Sequence, residues 1–262
     1  MDVTGSPPDD PWEALRAFTR ARIGLERSGD GLPTRALLKF QLDHAHARDA
    51  IHREVDFAAL GSRLGMDRCL HVHSAAVDRA TFVRRPDLGR RLDAASRILL
   101  QNQQAQIAWD VVFVIADGLS SAAVHDHAAA TLAACEQRLD GWKLAPIVLA
   151  KGARVALGDE VSLALNADLC VVLIGERPGL SVANSLGIYL TWQPSIGHRD
   201  ADRNCISNIH ADGLTYDQAA DKVFWLLSQA RRRRLTGTGL KDEAPAARTA
   251  LHDRHPPLER KD

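Results

Sequence analysis

Four short apolar segments, Asp110–Ala116, Ala145–Ala150, Asp168–Ile174 and Gly187–Thr191, constrain the fold more than any other feature. They are rich in β-branched residues and too short for buried helices, so they read as strands buried on both faces. Between the first two, Val124, Ala128, Thr131, Cys135 and Leu139 recur near a period of 3.6, which predicts a helix over Ser120–Leu139. A shorter helix is expected around Glu160–Leu165. Strand alternating with helix is the mark of parallel crossovers. The expected fold class is therefore α/β, a Rossmann-like, mostly parallel sheet with helices on both faces.

The first hundred residues have a different texture and predict mainly helix. Asp10-Pro11-Trp12-Glu13 carries an N-terminal capping box, after which Leu15, Phe18 and Leu25 share a face until Ser28-Gly29-Asp30-Gly31. A second helix should run from Thr34, with Leu37, Leu38, Gln41, Leu42 and Ala45 on one side. A short one should follow Asp56, and another should start at Asp87 with Leu88, Leu92, Ala95 and Leu99 facing inward. Near the other end, Thr215-Tyr216-Asp217-Gln218 is a capping box that opens a closing helix, with Ala219, Val223, Leu226, Leu227 and Ala230 inward. The resulting division is a helical region at 1–104, an α/β domain at 105–240 and a flexible tail at 241–262.

Composition narrows the possible partners. Lys and Arg number 33 against 33 Asp and Glu, which leaves no general basic field for a nucleic-acid backbone. The longest apolar runs are far short of the roughly 20 residues that cross a bilayer. The acidic, Pro-rich start lacks the basic and apolar regions of a secretory signal, so a cytoplasmic location is expected. Four well-separated cysteines form no CxxC, and neither a disulfide framework nor a structural zinc site is indicated.

In an open parallel sheet, ligands sit outside the carboxyl ends of the strands. At the first exit, Asp117 or Ser120 reads better as a helix cap than as a catalytic group. No GxGxxG or GxxxxGKS follows any strand. Glu176 follows four apolar residues and so lies at the sheet's mouth. Its carboxylate either accepts from amide or hydroxyl donors of a ligand or pairs with Arg177 or a helix, and position favours neither. The stretch from Trp192 to Gly213 is long for an irregular loop, and its Asn204-Cys205-Ile206-Ser207-Asn208 cluster suggests an ordered one. With only Arg203 and His210 near in sequence, Cys205 reads as a small contact residue rather than a nucleophile. His71 and His73 alone among the histidine pairs would share a side, but no third ligand stands at a convincing spacing. Arg231–Arg234 complements the negative end of the closing helix more readily than it serves phosphates.

The segments PWEALRAFTRARIGLERSGDGLPTRALLKFQLDHAHARDAI, HSAAVDRATFVRRPDLGRRLD, DVVFVIADGLSSAAV, VLIGERPGLSVANSLGIYLTWQPSIG, DRNCISNI and ARRRRLTGTGLKDE, in that order, resemble the small (light) subunit of ethanolamine ammonia-lyase. The resemblance covers Pro11 to Glu243. It implies one half of an adenosylcobalamin-dependent lyase that converts ethanolamine to acetaldehyde and ammonia. A large TIM-barrel subunit would handle the substrate in a hetero-oligomer, and the cobalamin would lie between the two. It also implies cobalamin contacts at Val155, Glu176 and Cys205, with no catalytic residue and no metal ligand in this chain. Without the resemblance, Val155 reads as an ordinary core valine. Some members carry a polar N-terminal extension linked to a bacterial microcompartment, whereas barely ten residues precede the first expected helix here. The helical first third, with its arginine-rich His73–Asp93 segment, would pack on the large subunit or on its own sheet. A stand-alone Rossmann-like module binding a nucleotide or other small molecule is the alternative, and an RNA-binding role through Arg231–Arg234 a more distant one.

Overall fold

The structure, a computed structural model, describes residues 12–16, 18–19, 21–25, 27, 29–103 and 108–244. Its elements in chain order are α1 (Glu13–Arg16), α2 (Thr34–His52), α3 (Phe57–Leu64), β1 (Cys69–His73), α4 (Arg79–Arg84), α5 (Ala94–Asn102) and β2 (Trp109–Ala116). There follow α6 (Ser121–Ala123), a π turn (Val124–Ala128), α7 (Ala129–Glu136), β3 (Ile147–Lys151), α8 (Leu157–Leu165), β4 (Ala167–Gly175), β5 (Leu186–Trp192), β6 (Asn204–Ile209) and α9 (Tyr216–Arg233). The expected boundary near residue 104 and the tail beyond Ala244 lie outside the described residues, as does the expected cap at Asp10.

The strands form one six-stranded sheet in the order β1-β3-β2-β4-β5-β6. Alternation along each strand divides the core in two. Val111, Phe113, Ile115, Leu149, Val171 and Leu173 face α3, α7 and α9, whereas Val112, Val114, Val148, Cys170 and Val172 face α5 and α8. Both faces are covered, as buried strands require.

Three of the five pairings, β1/β3, β2/β3 and β2/β4, are parallel, as a mostly parallel sheet requires, but the sheet is mixed because its last two, β4/β5 and β5/β6, are antiparallel. The reason is in the connections. A parallel return needs a crossover, usually a helix, and the links 176–185 and 193–203 contain none beyond one 3-10 turn at Asp200–Asp202. The expected irregular stretch from Trp192 to Gly213 holds β6, an edge strand that buries only Ile206 and Ile209 and so lacks a strand-like apolar run.

Three helical expectations also change. The first helix ends at Arg16, and Leu15 and Phe18 stay exposed, so no burial supports a longer one. The helix expected from Asp87 starts at Ala94, because the Asp93 carboxylate accepts from the Ser96 amide at 2.7 Å while Leu92 bridges to Ser74. α8 begins at Leu157 rather than near Glu160. It includes Gly158, where a Cβ would come within 2.7 Å of Val172 and 2.8 Å of Cys170, so the missing side chain lets helix and sheet meet.

Part of the helical first third docks on its own sheet: α3 packs against β3 and α7, and α5 against α8. α2 buries Ala47 and Ala50 near its C-terminal end, where the Ile51 carbonyl accepts from Arg79 Nε at 2.7 Å, and its middle is tied by Asp43 to Arg22 at 2.6 Å.

Candidate functional site

The carboxyl ends of β2, β3 and β4 converge on a cleft of about 570 Å³. Local geometry brings these exits together. Gly118, at φ +55°, and Gly175 approach so closely that a Cβ on either would collide with the other turn, at 2.3 Å from the Gly175 carbonyl oxygen and 2.1 Å from that of Ser120. Ser120 caps α6 by accepting from the Ala123 amide, and its hydroxyl donates to the Ala183 carbonyl at 2.7 Å. Asp117 does not cap that helix. It is buried and accepts from the Gly152 and Ala153 amides, each at 2.9 Å, with Arg79 at 3.3 Å. Asp117 thereby ties the β2 exit to the turn that carries residues 152–156.

Val155 and Glu176 both line the cleft, Val155 in the turn before α8 and Glu176 just past β4. Among the described residues Glu176 makes no ion pair with Arg177 or a helix. Its carboxylate accepts from the Ser185 hydroxyl at 2.5 Å. Gly187 leaves room for it, since a Cβ there would stand 2.8 Å from Glu176 Oε1.

Cys205 does not line the cleft. It sits exposed on β6, its thiol 3.2 Å from the Ser207 hydroxyl, and its register partner on β5 is Tyr189. Tyr189 lines the cleft and was absent from the residues marked in the sequence. Burial first, then the Cys205 thiol and the Glu176 carboxylate, push its hydroxyl well above the usual tyrosine value. Val155 and Glu176 thus line the cleft with Tyr189, whereas Cys205 meets it only through its register with Tyr189. The signal available in the sequence was slight: one of only two tyrosines, within an apolar strand.

Arg90, Arg154 and Arg177 also line the cleft, opposed by Glu176 and Asp200. Burial, together with repulsion from Arg79, Arg90 and Arg177, lowers the Arg154 pKa. A carboxylate acceptor, a phenol, a small apolar shelf at Val155 and Ala156, and guanidinium donors make this a surface for holding and orienting a large polar ligand.

His71 and His73 are both exposed on β1, and among the described residues no three His, Cys, Asp or Glu side chains gather as a metal site. Arg231, in the last turn of α9, pairs with Asp110 at 3.1 Å and lies over the Trp142 ring. That basic run is anchored at its first residue by the protein itself.

The model of the family "Ethanolamine ammonia-lyase light chain" matches residues 9–241. A protein named ethanolamine ammonia-lyase small subunit from Pseudomonas putida (strain GB-1) is 51% identical over 251 residues, 93% of this chain and 92% of that one. The proteins of that name from Pseudomonas fluorescens (strain Pf0-1) and Xanthomonas campestris pv. campestris (strain B100) are 49% and 50% identical over 250 residues. Each alignment covers 93% of this chain and, respectively, 91% and 92% of the relative.

Proposed function

The chain belongs to the ethanolamine ammonia-lyase light-chain family, the small subunit of a two-subunit lyase, and from that premise we propose that it walls one side of a bound adenosylcobalamin. The reaction is conversion of ethanolamine to acetaldehyde and ammonia, and the large subunit carries the groups that act on substrate. The observation that carries this reading is the cleft at the sheet's carboxyl edge, lined by Val155 and Glu176 and bordered through Tyr189 by Cys205.

The residues present fit such a group. A corrin has a broad, partly apolar face rimmed by amide side chains. Val155 and Ala156 offer an apolar shelf, and Glu176, fixed by Ser185, offers a carboxylate to amide donors. The cofactor, when bound, supplies the radical that starts the reaction. This chain holds its rim, keeps water out and orients it towards the large subunit. Glu176 accepts hydrogen bonds and positions the cofactor rather than reacting. Among the described residues no helix is long and apolar enough to cross a membrane.

The test is reconstitution with a large subunit, scoring acetaldehyde from ethanolamine and cofactor retention by equilibrium dialysis. Glu176→Ala should weaken adenosylcobalamin binding by roughly 1–3 kcal/mol, the cost of stranding buried amide donors. Unchanged affinity would remove Glu176 from the site. Tight binding of a nucleotide by the chain alone would favour a stand-alone module instead.

A further inference from the structure

The cleft holds more positive charge than an amide-rimmed corrin requires. Arg90, Arg154 and Arg177 line it, and among the described residues none of the three forms an ion pair. The neighbouring carboxylates are engaged elsewhere: Asp117 by Arg79 and two amides, Glu176 by Ser185. Asp200 lies at the rim, and among the described residues its carboxylate forms no ion pair.

Arg154 is built into place. Its guanidinium lies 4.3 Å over the Phe82 ring, and its amide donates to the Gly89 carbonyl at 2.8 Å. A Cβ on Gly89 would stand 3.0 Å from both Arg154 Cγ and Phe82 Cδ2, so the absent side chain makes the stack possible. Among the described residues Arg154 Nε is buried with no partner, and the bond that Nη2 donates to the Phe82 carbonyl is a long 3.4 Å. α8 starts three residues later, adding the positive end of a nine-residue helix to the same wall. The amides of Val155 and Ala156, in the turn before it, donate to no backbone carbonyl among the described residues. Arg154 is half-buried and is repelled by Arg90 and Arg177 on the same wall, a repulsion that an anion among them relieves.

We propose that this cationic wall receives a phosphodiester, that of the nucleotide loop of cobalamin. The inference rests on the cobalamin reading and adds to it which part of the cofactor this chain holds. The phosphodiester is a fixed negative charge of the cofactor outside the macrocycle, and a guanidinium fork matches its paired oxygens.

Adenosylcobinamide separates the two readings, because it keeps the corrin and the adenosyl ligand but stops before the phosphate. Arg154→Gln, Arg154→Lys and Arg177→Gln would be assembled with the large subunit and titrated with both cofactors by equilibrium dialysis. Arg154→Gln should weaken adenosylcobalamin roughly 10- to 100-fold, as loss of a charge-assisted hydrogen bond does, and leave adenosylcobinamide unchanged. Arg154→Lys should recover only part of the loss, since an ammonium cannot fork. Inorganic phosphate should compete with adenosylcobalamin in the unaltered enzyme and not with adenosylcobinamide. Arg177 is exposed, so Arg177→Gln should fold and show a smaller loss of the same selectivity. Equal losses for both cofactors, or no loss for either, overturns the proposal, while a Glu176→Ala loss with both would leave the corrin wall standing. Tight phosphate binding that does not compete with adenosylcobalamin would assign the wall to a free anion and overturn it too.

Discussion

Arg203 and Asp159 form a fork-to-fork pair inside the protein, with both nitrogen to oxygen distances at 2.7 Å. Arg203 precedes β6 and Asp159 lies in the first turn of α8, so the pair ties the strand of Cys205 to the helix that follows Val155. Thr191 on β5 accepts from the same guanidinium at 2.8 Å. One buried charge pair therefore fixes the distance between the two outer parts of the candidate site.

Removing one partner should be costly, because the other is left charged and dry; both side chains are at most 3% exposed. Asp159→Ala should lose about 3–5 kcal/mol of stability. Urea unfolding checks this. A loss within the range of ordinary surface substitutions would mean that the β6 edge is held by other contacts.

Two glycines at the cleft should behave oppositely when given a methyl group. At Gly175 the new Cβ meets backbone, the Ser120 oxygen at 2.1 Å and the Asp117 oxygen at 2.8 Å, and backbone cannot swing aside. Gly175→Ala should cost about 1–3 kcal/mol or more in unfolding free energy. At Gly187 the first contact is the far end of the Glu176 side chain. Gly187→Ala should keep its urea midpoint and lose cofactor affinity as Glu176→Ala does. Intact affinity in Gly187→Ala would separate the Glu176 position from cofactor retention.

Thiol labelling tests the placement of Cys205. Burial pushes the Cys135 and Cys170 thiols up to about 12, and both are inaccessible. Cys205 is exposed. A maleimide should therefore label Cys205 first in the isolated chain, and assembly with the large subunit and cobalamin should slow that reaction more than tenfold, as burial of a thiolate's approach path does. Equal labelling before and after assembly would put Cys205 outside the joint.

Much of the fold was legible because the central strands obey one strong rule. Val111–Ala116 and Leu169–Ile174 are continuously apolar, and only a doubly covered sheet buries them. The capping box of α9 and the aspartate before α3 act within a few residues, so Thr215 and Asp56 could be read directly, whereas the Asp93 cap of α5 was not and the helix was expected from Asp87. β6 was not legible, because an edge strand with two inward residues has no run to detect. The reversal at β5 was not either, since strand direction depends on what the connection contains. Of the site, Glu176 could be placed at the sheet's mouth from sequence order. Val155 came only through resemblance. Tyr189 depends on register across β5 and β6, and the Arg154 stack depends on Phe82 and Gly89, which no short-range pattern joins to it.

His127 gives the chain a pH dependence whose sign follows from burial. It lies in the π turn, with Nδ1 2.9 Å from the Tyr216 hydroxyl and Nε2 buried without a partner. Burial, against a weaker opposite pull from Asp126, holds its pKa below the usual histidine value. An unfolded chain then takes up a proton near pH 6.5 that the folded chain does not yet accept. The stability from a neutral His127 is fully present above about pH 6.5 and is lost as pH falls below it, until the folded form protonates as well. His127→Gln removes that titration while keeping a polar partner for Tyr216. Between about pH 7.5 and 5.5, bracketing the free histidine value, the urea midpoint of the unaltered chain should fall further than that of His127→Gln. The two proteins differ at this one imidazole, so the difference between the two slopes reports His127. Parallel curves would show that the imidazole reaches water and protonates freely in the folded state.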